Sequence, residues 1–245
     1  MSTICFDFGN TRLKYAVVSA EDSAGNMFVE EAVLENDFTE TIKALLEKYH
    51  PEKTILSSVI NHNPEIETLL AEKTAFHKLS NLSNLPFMTP VSKSATIGAD
   101  RLALCAAAVH LFSGKNNLVI GLGTCITYNF INKNKQFIGG SISPGMDMRF
   151  KSLQAFTAKL PLVKEDWNFP LIGYDTQTNI LSGVLLGMAK EIDGIINAYK
   201  EKYDNINILL TGGNAEYFVP YLVNRDITVD KNLIFKGLYA ISNSN

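Results

Sequence analysis

The sequence predicts an α/β protein made of two similar halves that meet near residue 115. Residues 2–19 contain a strand, the glycine turn GNT and a second strand, and the same pattern returns at residues 118–131, LVIGLGTCITYNFI. The two turn motifs begin at residues 7 and 121, an offset of 114 residues in a chain of 245. No low-complexity segment separates the halves. We therefore expect domains 1–115 and 116–245, packed around a shared cleft.

The rest of the first half alternates between helix and strand. Apolar residues at helical spacing predict a helix over residues 38–49, which Pro51 ends. TILSSVI predicts a strand over residues 54–60, and Pro64 begins a helix over residues 64–73. Residues 80–97, rich in Ser, Asn and Pro, are typical of a loop, whereas residues 100–112 are apolar on nearly every face and predict a buried helix.

The second half continues in the same manner. QFIGGSI predicts a strand over residues 136–142, and a helix is expected over roughly residues 180–203, with Gly183 and Gly187 on one face. INILLTGGNAEYF, residues 206–218, predicts a strand, a glycine turn and a helix.

Composition excludes several classes of function. The chain has 22 Lys and Arg against 25 Asp and Glu, a net charge of -3, whereas a nucleic-acid binder normally carries a basic stripe. It shows neither an apolar stretch long enough to span a membrane nor a signal peptide, so we expect a cytoplasmic protein without membrane or nucleic-acid partners. Cys5, Cys105 and Cys125 lie far apart in apolar runs, which favours reduced thiols over zinc or disulfides.

Three glycine turns are the candidate phosphate-binding elements. The chain has neither a P-loop nor a G-x-G-x-x-G motif after a strand. The turns at residues 7–11, 121–125 and 211–215 offer backbone N–H groups and hydroxyls, which an oligophosphate requires. Taken singly, each turn is more readily explained as structural, but two turns at a half-chain interval and a third glycine turn make a stronger case for phosphate binding. Asp7 at a strand end is suited to hold Mg²⁺ through water, and Lys14 to face the phosphates.

Asp100 precedes the apolar helix and has two interpretations. Asp is a good residue for capping a helix N-terminus and favours the positive end of its dipole. Alternatively, Asp100 is a general base beside Arg101, which would hold an anionic substrate. The helix terminus is expected to keep Asp100 ionised at pH 7. Further along, the glycines of residues 139–145 suit either close approach to a ligand or a simple bulge.

Taken together, these motifs resemble those of type III pantothenate kinase. The resemblance rests on DFGNT (7–11), GADR (98–101), GTCIT (123–127), GG-I-PG (139–145), LP (160–161), T-x6-G (176–183) and TGG (211–213), in family order over nearly the whole chain. It implies the fold of the actin/hexokinase/Hsp70-like superfamily, in which two duplicated ribonuclease-H-like domains enclose a nucleotide cleft. It further implies a homodimer that phosphorylates pantothenate with ATP and Mg²⁺, the first step of coenzyme A biosynthesis.

The resemblance also assigns residues. It implies that Asp100 is the proton acceptor and that Gly98, Ala99, Arg101 and Thr176 contact pantothenate. It implies that Thr124 contacts ATP and that Asp7 holds Mg²⁺. The residues that it places on the ATP phosphates are Asp7, Phe8, Gly9, Asn10, Thr11, Arg12, Leu13 and Lys14.

Three positions depart from the family pattern. Gly121 replaces an Asp that binds a monovalent cation, K⁺ or NH₄⁺, and Asn129 replaces a second acidic residue. Val91 stands where the family often has a substrate-contacting Tyr. We therefore expect an active enzyme with an altered cation site. The alternative is a nucleotide-binding accessory or regulatory protein of the same fold with weak or no kinase activity, and a sugar kinase of this superfamily is disfavoured by the GADR and GG-I-PG motifs.

Overall fold

A computed structural model gives the fold, and it describes residues 2–19, 26–35, 38–90 and 96–245. The chain divides into two compact units. The first comprises Met1–Ser113, Lys135–Phe137 and Asn232–Asn245, and the second comprises Gly114–Asn134 and Ile138–Lys231. This division differs from the predicted halves, 1–115 and 116–245, chiefly because the last helix of the chain joins the first unit.

The first unit is built on a five-stranded sheet. Its elements are β1 (Ser2–Phe8), β2 (Leu13–Ser19), β3 (Phe28–Leu34), α1 (Phe38–Tyr49), β4 (Lys53–Ser58), α2 (Glu65–Lys73), β5 (Ala75–Lys78) and α3 (Ala99–Leu111). The strand order is β3-β2-β1-β4-β5, with β1 antiparallel to β2 and parallel to β4. Strand β1, buried from Thr3 to Phe8, therefore lies at the centre of the sheet.

The second unit repeats this plan. Its elements are β6 (Asn116–Leu122), β7 (Cys125–Ile131), β8 (Phe137–Pro144), α4 (Met146–Ala155), α5 (Thr176–Leu181), α6 (Gly187–Lys202), β9 (Ile206–Thr211), α7 (Ala215–Phe218) and β10 (Thr228–Val229). The strand order is β10-β9-β6-β7-β8, with β6 antiparallel to β7 and parallel to β9. Matching β6 to β1 makes the two orders identical, as expected of a duplicated α/β fold.

The last helix, α8 (Leu233–Ser242), completes the first unit by packing on α3. Gly237 permits this contact, because a Cβ built there would lie 1.8 Å from the carbonyl oxygen of Ala103. The apolar character of α3, read from the sequence as burial on nearly every face, is thus explained by a helix more than 120 residues further along the chain.

Most predicted elements are confirmed, and the differences have local causes. The helix expected to begin near residue 180 begins at Thr176, because Asp175 caps it by accepting a hydrogen bond from the Thr178 N–H at 2.8 Å. A π-helical segment, Ser182–Leu186, joins α5 to α6. The sequence analysis missed the strands β3, β5 and β10 and the helices α4 and α8.

Two observations bear on the membrane-spanning and disulfide-bonded classes of protein that the sequence argued against. In the part of the chain that the structure describes, no helix is long and apolar enough to cross a membrane. The three cysteines form no disulfide; Cys5 and Cys105 are buried, and Cys125 is partly exposed.

Candidate active site

Asp7 lies at the end of the central strand of the first sheet. It is the penultimate residue of β1, paired in register with Lys14 on β2 and Ser57 on β4. Its neighbours Phe6 and Phe8 are completely buried, and Asp7 itself is only 8% exposed. The fold therefore holds a carboxylate at the end of a buried strand, beside one cation and one hydroxyl.

The surroundings of Asp7 act on its protonation in opposite directions. Burial raises the pKa of Asp7 to about 6, because the charged form loses its water. The positive charge of Lys14 lowers this pKa, the negative charge of Asp100 raises it, and the nearby Ser57 hydroxyl lowers it. Asp7 and Asp100, 93 positions apart in sequence, are therefore close enough to repel each other electrostatically.

Asp100 is the second residue of α3 and is half-buried. The N-cap position belongs to Gly98, so Asp100 is not the capping residue, although its carboxylate lies at the positive end of the helix. Burial raises the pKa of Asp100, and this effect exceeds the lowering by the Arg101 and Asp100 backbone amides and by the Arg101 charge. Burial therefore outweighs the helix terminus in the direction of the pKa shift, and Asp100 is a stronger base than an exposed Asp. That Asp100 is ionised at pH 7 stays a prediction.

Steric crowding by Asp100 explains why residue 98 is a glycine. A Cβ built on Gly98 would lie 2.5 Å from Oδ1 of Asp100 and 3.9 Å from a methyl carbon of Val59. Any other residue would displace the carboxylate. The guanidinium of Arg101 lies 5.6 Å from the centre of the Phe137 ring.

The β1–β2 turn presents its polar residues to solvent. The Gly9 N–H donates to the carbonyl of Arg12 at 3.1 Å, which closes the turn and leaves Asn10, Thr11 and Arg12 exposed. Phe8 and Leu13 form the last pair of the hairpin, and the Phe8 side chain is completely buried. Of the residues assigned to the ATP phosphates, Phe8 can therefore offer only its backbone.

The corresponding turn of the second unit, Gly123–Thr124, is exposed and is held by glycines from two other segments. The Gly145 N–H donates to the Thr124 carbonyl at 3.1 Å, and a Cβ on Gly145 would lie 2.3 Å from the Gly123 carbonyl oxygen. Gly212, with φ +102°, would place a Cβ 2.2 Å from the Leu122 carbonyl oxygen. Three glycine-containing segments of the sequence thus meet at one turn through direct backbone contact.

Gly121 occupies the position in the second sheet that Asp7 occupies in the first. Each is the residue before the last paired residue of its hairpin. Asp7 has Lys14 and Ser57 as register partners, whereas Gly121 has Thr127 and Thr211. The duplicated position is therefore charged in the first unit and neutral in the second.

Asn129 does not supply a replacement charge at this site. It is completely buried, and its Nδ2 donates to the Val119 carbonyl and to Thr127 Oγ1, both at 3.2 Å. Its amide is therefore engaged within the β6–β7 hairpin.

Thr176 is the first residue of α5, is exposed, and lines a cavity of about 640 Å³ in the second unit. Leu160 and Gly183, from the LP and T-x6-G motifs, line the same cavity, as do Arg149 and Asn179. Motifs that are unremarkable singly are thus brought together. Val91 lies outside the described residues.

Ser57 is the site residue that sequence reasoning missed. It is completely buried beside Asp7, and its Oγ has no hydrogen-bond partner among the described residues. The available signal was a pair of serines at the end of an otherwise apolar strand, TILSSVI.

A family model and two curated relatives point to one family. Residues 3–198 match the family described as type III pantothenate kinase. The protein of that name from Christiangramia forsetii is 39% identical over 244 residues, covering 99% of this chain and 98% of the relative. The protein of that name from Cytophaga hutchinsonii is 46% identical over 197 residues, covering 80% and 82%.

Solved structures add information on the fold. A Campylobacter jejuni protein described as a Baf family transcriptional activator superposes with a TM-score of 0.59 at 21% identity, over 97% of this chain and 96% of that one. A glucokinase from an Antarctic psychrotroph superposes with a TM-score of 0.53 at 13% identity, over 100% and 99%. These likenesses establish an actin-like ATPase fold, in agreement with the two sheets of identical strand order. The family match and the full-length relatives show that this chain belongs to the type III pantothenate kinase family.

Proposed function

We propose that this protein transfers the γ-phosphoryl group of ATP to the primary hydroxyl of pantothenate, the reaction that begins coenzyme A biosynthesis. The observation that carries the proposal is the pair of carboxylates in the first unit, Asp7 at the end of β1 and Asp100 at the start of α3, which are close enough to interact electrostatically. Phosphoryl transfer to an alcohol requires one group that holds the hydrated cation and another that accepts the proton.

Asp100 is the proton acceptor in this proposal. As the pantothenate oxygen bonds to the γ-phosphorus and the bond to the ADP oxygen breaks, the hydroxyl proton passes to the Asp100 carboxylate. The raised pKa of Asp100 favours this role, since a base is most effective when its pKa is near the working pH. Gly98, Ala99 and Arg101 would orient the substrate around it.

Asp7 would hold Mg²⁺, and residues Asp7 to Lys14 together with Thr124 would bind the ATP phosphates. The donor set fits, because Mg²⁺ keeps several waters and is typically bound by one or two carboxylates plus phosphate oxygens. Asp7 supplies one such carboxylate, and the unpartnered Ser57 hydroxyl beside it suits a hydrated ion. When bound, the cation neutralises charge on the transferred group, and Lys14 adds a second positive charge near Asp7.

Thr176 and its cavity would complete the pantothenate site as part of a homodimer. The cavity has an apolar wall, including Leu160 and Ile180, and polar residues at its edge, which suits a small acid with a branched hydrocarbon centre. The second unit also carries strongly exposed apolar side chains for a partner to cover, Phe156 at 88%, Ile172 at 82% and Tyr174 at 82%. Sedimentation that finds an active monomer at assay concentration would refute the dimer.

The decisive experiment incubates the purified protein with Mg-ATP and pantothenate and follows phosphopantothenate by mass spectrometry. We expect product in proportion to enzyme and time. The controls omit the enzyme or replace it with the Asp100→Asn variant. Absence of product above these controls would favour the alternative, an accessory or regulatory nucleotide-binding protein. Retention of Asp7 and Asp100 argues for turnover. The cytoplasmic location stays a prediction.

A further inference from the structure

Ser57 is a buried polar residue whose hydroxyl makes no hydrogen bond of ordinary geometry. It lies on β4, which is apolar and buried from Ile55 to Leu56, and Ser57 itself is 0% exposed. Its Oγ is the one buried side-chain oxygen or nitrogen, within the described parts of the chain, that lacks a hydrogen-bond partner. Burying a hydroxyl without a partner costs about 1–3 kcal/mol, so such a group requires an explanation.

The position of Ser57 supplies that explanation. Ser57 and Asp7 are register partners on the parallel strands β1 and β4, so their side chains lie on the same face of the sheet. The Ser57 hydroxyl lowers the pKa of Asp7 as a hydrogen-bonding side chain does, although the contact falls outside the distance and angle of an ordinary hydrogen bond. A serine hydroxyl has one donor and two acceptor positions, whereas a carboxylate only accepts. Ser57 can thus serve Asp7 and a water molecule at the same time.

We propose that Ser57 is a positioning residue for the cation-binding carboxylate, donating a hydrogen bond to Asp7 and accepting one from a water molecule of the hydrated Mg²⁺. In this arrangement Ser57 fixes the orientation of Asp7 when the nucleotide and its cation bind. The inference rests on the proposed role of Asp7 in binding Mg²⁺, but it does not depend on which alcohol receives the phosphoryl group.

The neighbouring serine provides a matched control. Ser58 lies on the same strand, one residue further on and therefore on the opposite face. Its Oγ is already engaged, with the Ile60 carbonyl at 3.1 Å and with Nδ1 of His62 at 3.0 Å. Removing the Ser58 hydroxyl breaks hydrogen bonds that exist without ligand, whereas removing the Ser57 hydroxyl breaks no hydrogen bond of ordinary geometry.

The test compares Ser57→Ala, Ser57→Thr and Ser58→Ala in two measurements that need no turnover. The first is Mn²⁺ binding in the presence of the non-hydrolysable ATP analogue AMPPNP, followed by electron paramagnetic resonance. Loss of a residue that orients a metal ligand typically weakens metal affinity about 10–100-fold, and we expect this for Ser57→Ala, with recovery in Ser57→Thr. The second is the melting temperature without metal or nucleotide, which should not fall in Ser57→Ala and should fall in Ser58→Ala.

The kinetic expectation follows from the same geometry. In Ser57→Ala the KM for Mg-ATP should rise while the KM for pantothenate stays unchanged. Ser57→Ala with unaltered Mn²⁺ affinity would overturn the inference. A lower melting temperature of the metal-free Ser57→Ala variant would also overturn it, since that result describes a structural serine. Failure of pantothenate as a substrate would instead overturn the proposed function, because Mn²⁺ binding does not require it.

Discussion

Replacing Asp7 by Asn should stabilise the metal-free protein while abolishing its activity. The carboxylate is 8% exposed, and its pKa is raised from 3.8 to about 6, so the folded state disfavours the charged form. Each tenfold change in proton affinity corresponds to about 1.4 kcal/mol. The ionised Asp7 therefore lowers the free energy of unfolding by at most about 3 kcal/mol above pH 6. Asn has the same shape without the charge.

The sign of the pH dependence follows from the raised pKa. Well below pH 3.8 Asp7 is protonated in both the folded and the unfolded protein, so its charge costs nothing. As the pH rises from about 4 to about 6, the unfolded chain loses its proton first and the stability of the unmodified protein falls. The advantage of Asp7→Asn should thus be full at pH 8, about half as large at pH 5 and small at pH 4.

The assay is thermal unfolding in EDTA at these three pH values. For a chain of this size we expect the melting temperature to rise by about 3–10 °C at pH 8, which corresponds to about 1–3 kcal/mol. Asp193→Asn is the matched control. Asp193 is also buried, but it accepts hydrogen bonds from the Val223 and Asn224 N–H groups at 2.7 and 3.0 Å, and its pKa is lowered. That substitution should lower the melting temperature at pH 8. An Asp7→Asn variant that melts earlier than the unmodified protein at pH 8, or gains equally at pH 4, would refute the reasoning.

Three further predictions concern the base, the altered cation position and the outer face of the first unit. Asp100→Asn should lower kcat at least ~100-fold with the fold unchanged by circular dichroism, because general-base catalysis contributes at least that much; near-normal turnover would reduce Asp100 to a structural role. The activity of the unmodified enzyme should depend little on K⁺, whereas K⁺ should stimulate the Gly121→Asp variant at least about 5-fold, the lower range of coupling between bound ligands. The test measures initial rates with K⁺ replaced by a bulky organic cation. A collapse of the rate of the unmodified enzyme would contradict this prediction. Glu30→Gln should lower the free energy of unfolding at pH 7 by about 1 kcal/mol, a value reduced for solvent screening, because Glu30 accepts hydrogen bonds from Lys48, Tyr15 and Tyr49. These bonds lower the pKa of Glu30 to about 2, so its contribution is complete above pH 4.5 and is lost as the pH falls towards 2; chemical denaturation that gives equal stabilities at pH 7 would count against it.

The comparison of the two halves explains why the cation position is worth testing. The β1–β2 and β6–β7 hairpins have the same order and register, so Asp7 and Gly121 are structurally equivalent residues of a duplicated unit. In the first unit this position is Asp and its two register partners are Lys and Ser, whereas in the second unit the position is Gly and both register partners are Thr. A carboxylate introduced at Gly121 would lie beside two hydroxyl-bearing residues, which supplies the hard oxygen ligands that such a cation requires.

The sequence by itself determined the local structure and the family. Helix α1 begins and ends at the predicted residues 38 and 49, since its apolar spacing and Pro51 are both local signals. The glycine hairpins and their half-chain repeat predicted a duplicated α/β fold, which is confirmed by the two sheets of identical order. The motifs predicted the type III pantothenate kinase family, which the relatives confirm. Each of these signals is carried by short motifs, and the residues within one motif lie only a few positions apart.

Only the tertiary structure decided which distant residues meet and how burial alters their chemistry. Helix α8 joins the first unit because Gly237 allows its backbone to approach Ala103, a contact between residues 134 positions apart in sequence. Ser57 gains significance only from its register with Asp7, and the repulsion between Asp7 and Asp100 requires the start of α3 to lie near the end of β1. The pKa of Asp7 rises because a strand on each side excludes water from it. Desolvation depends on every atom packed around a group, and a sequence pattern does not specify that packing.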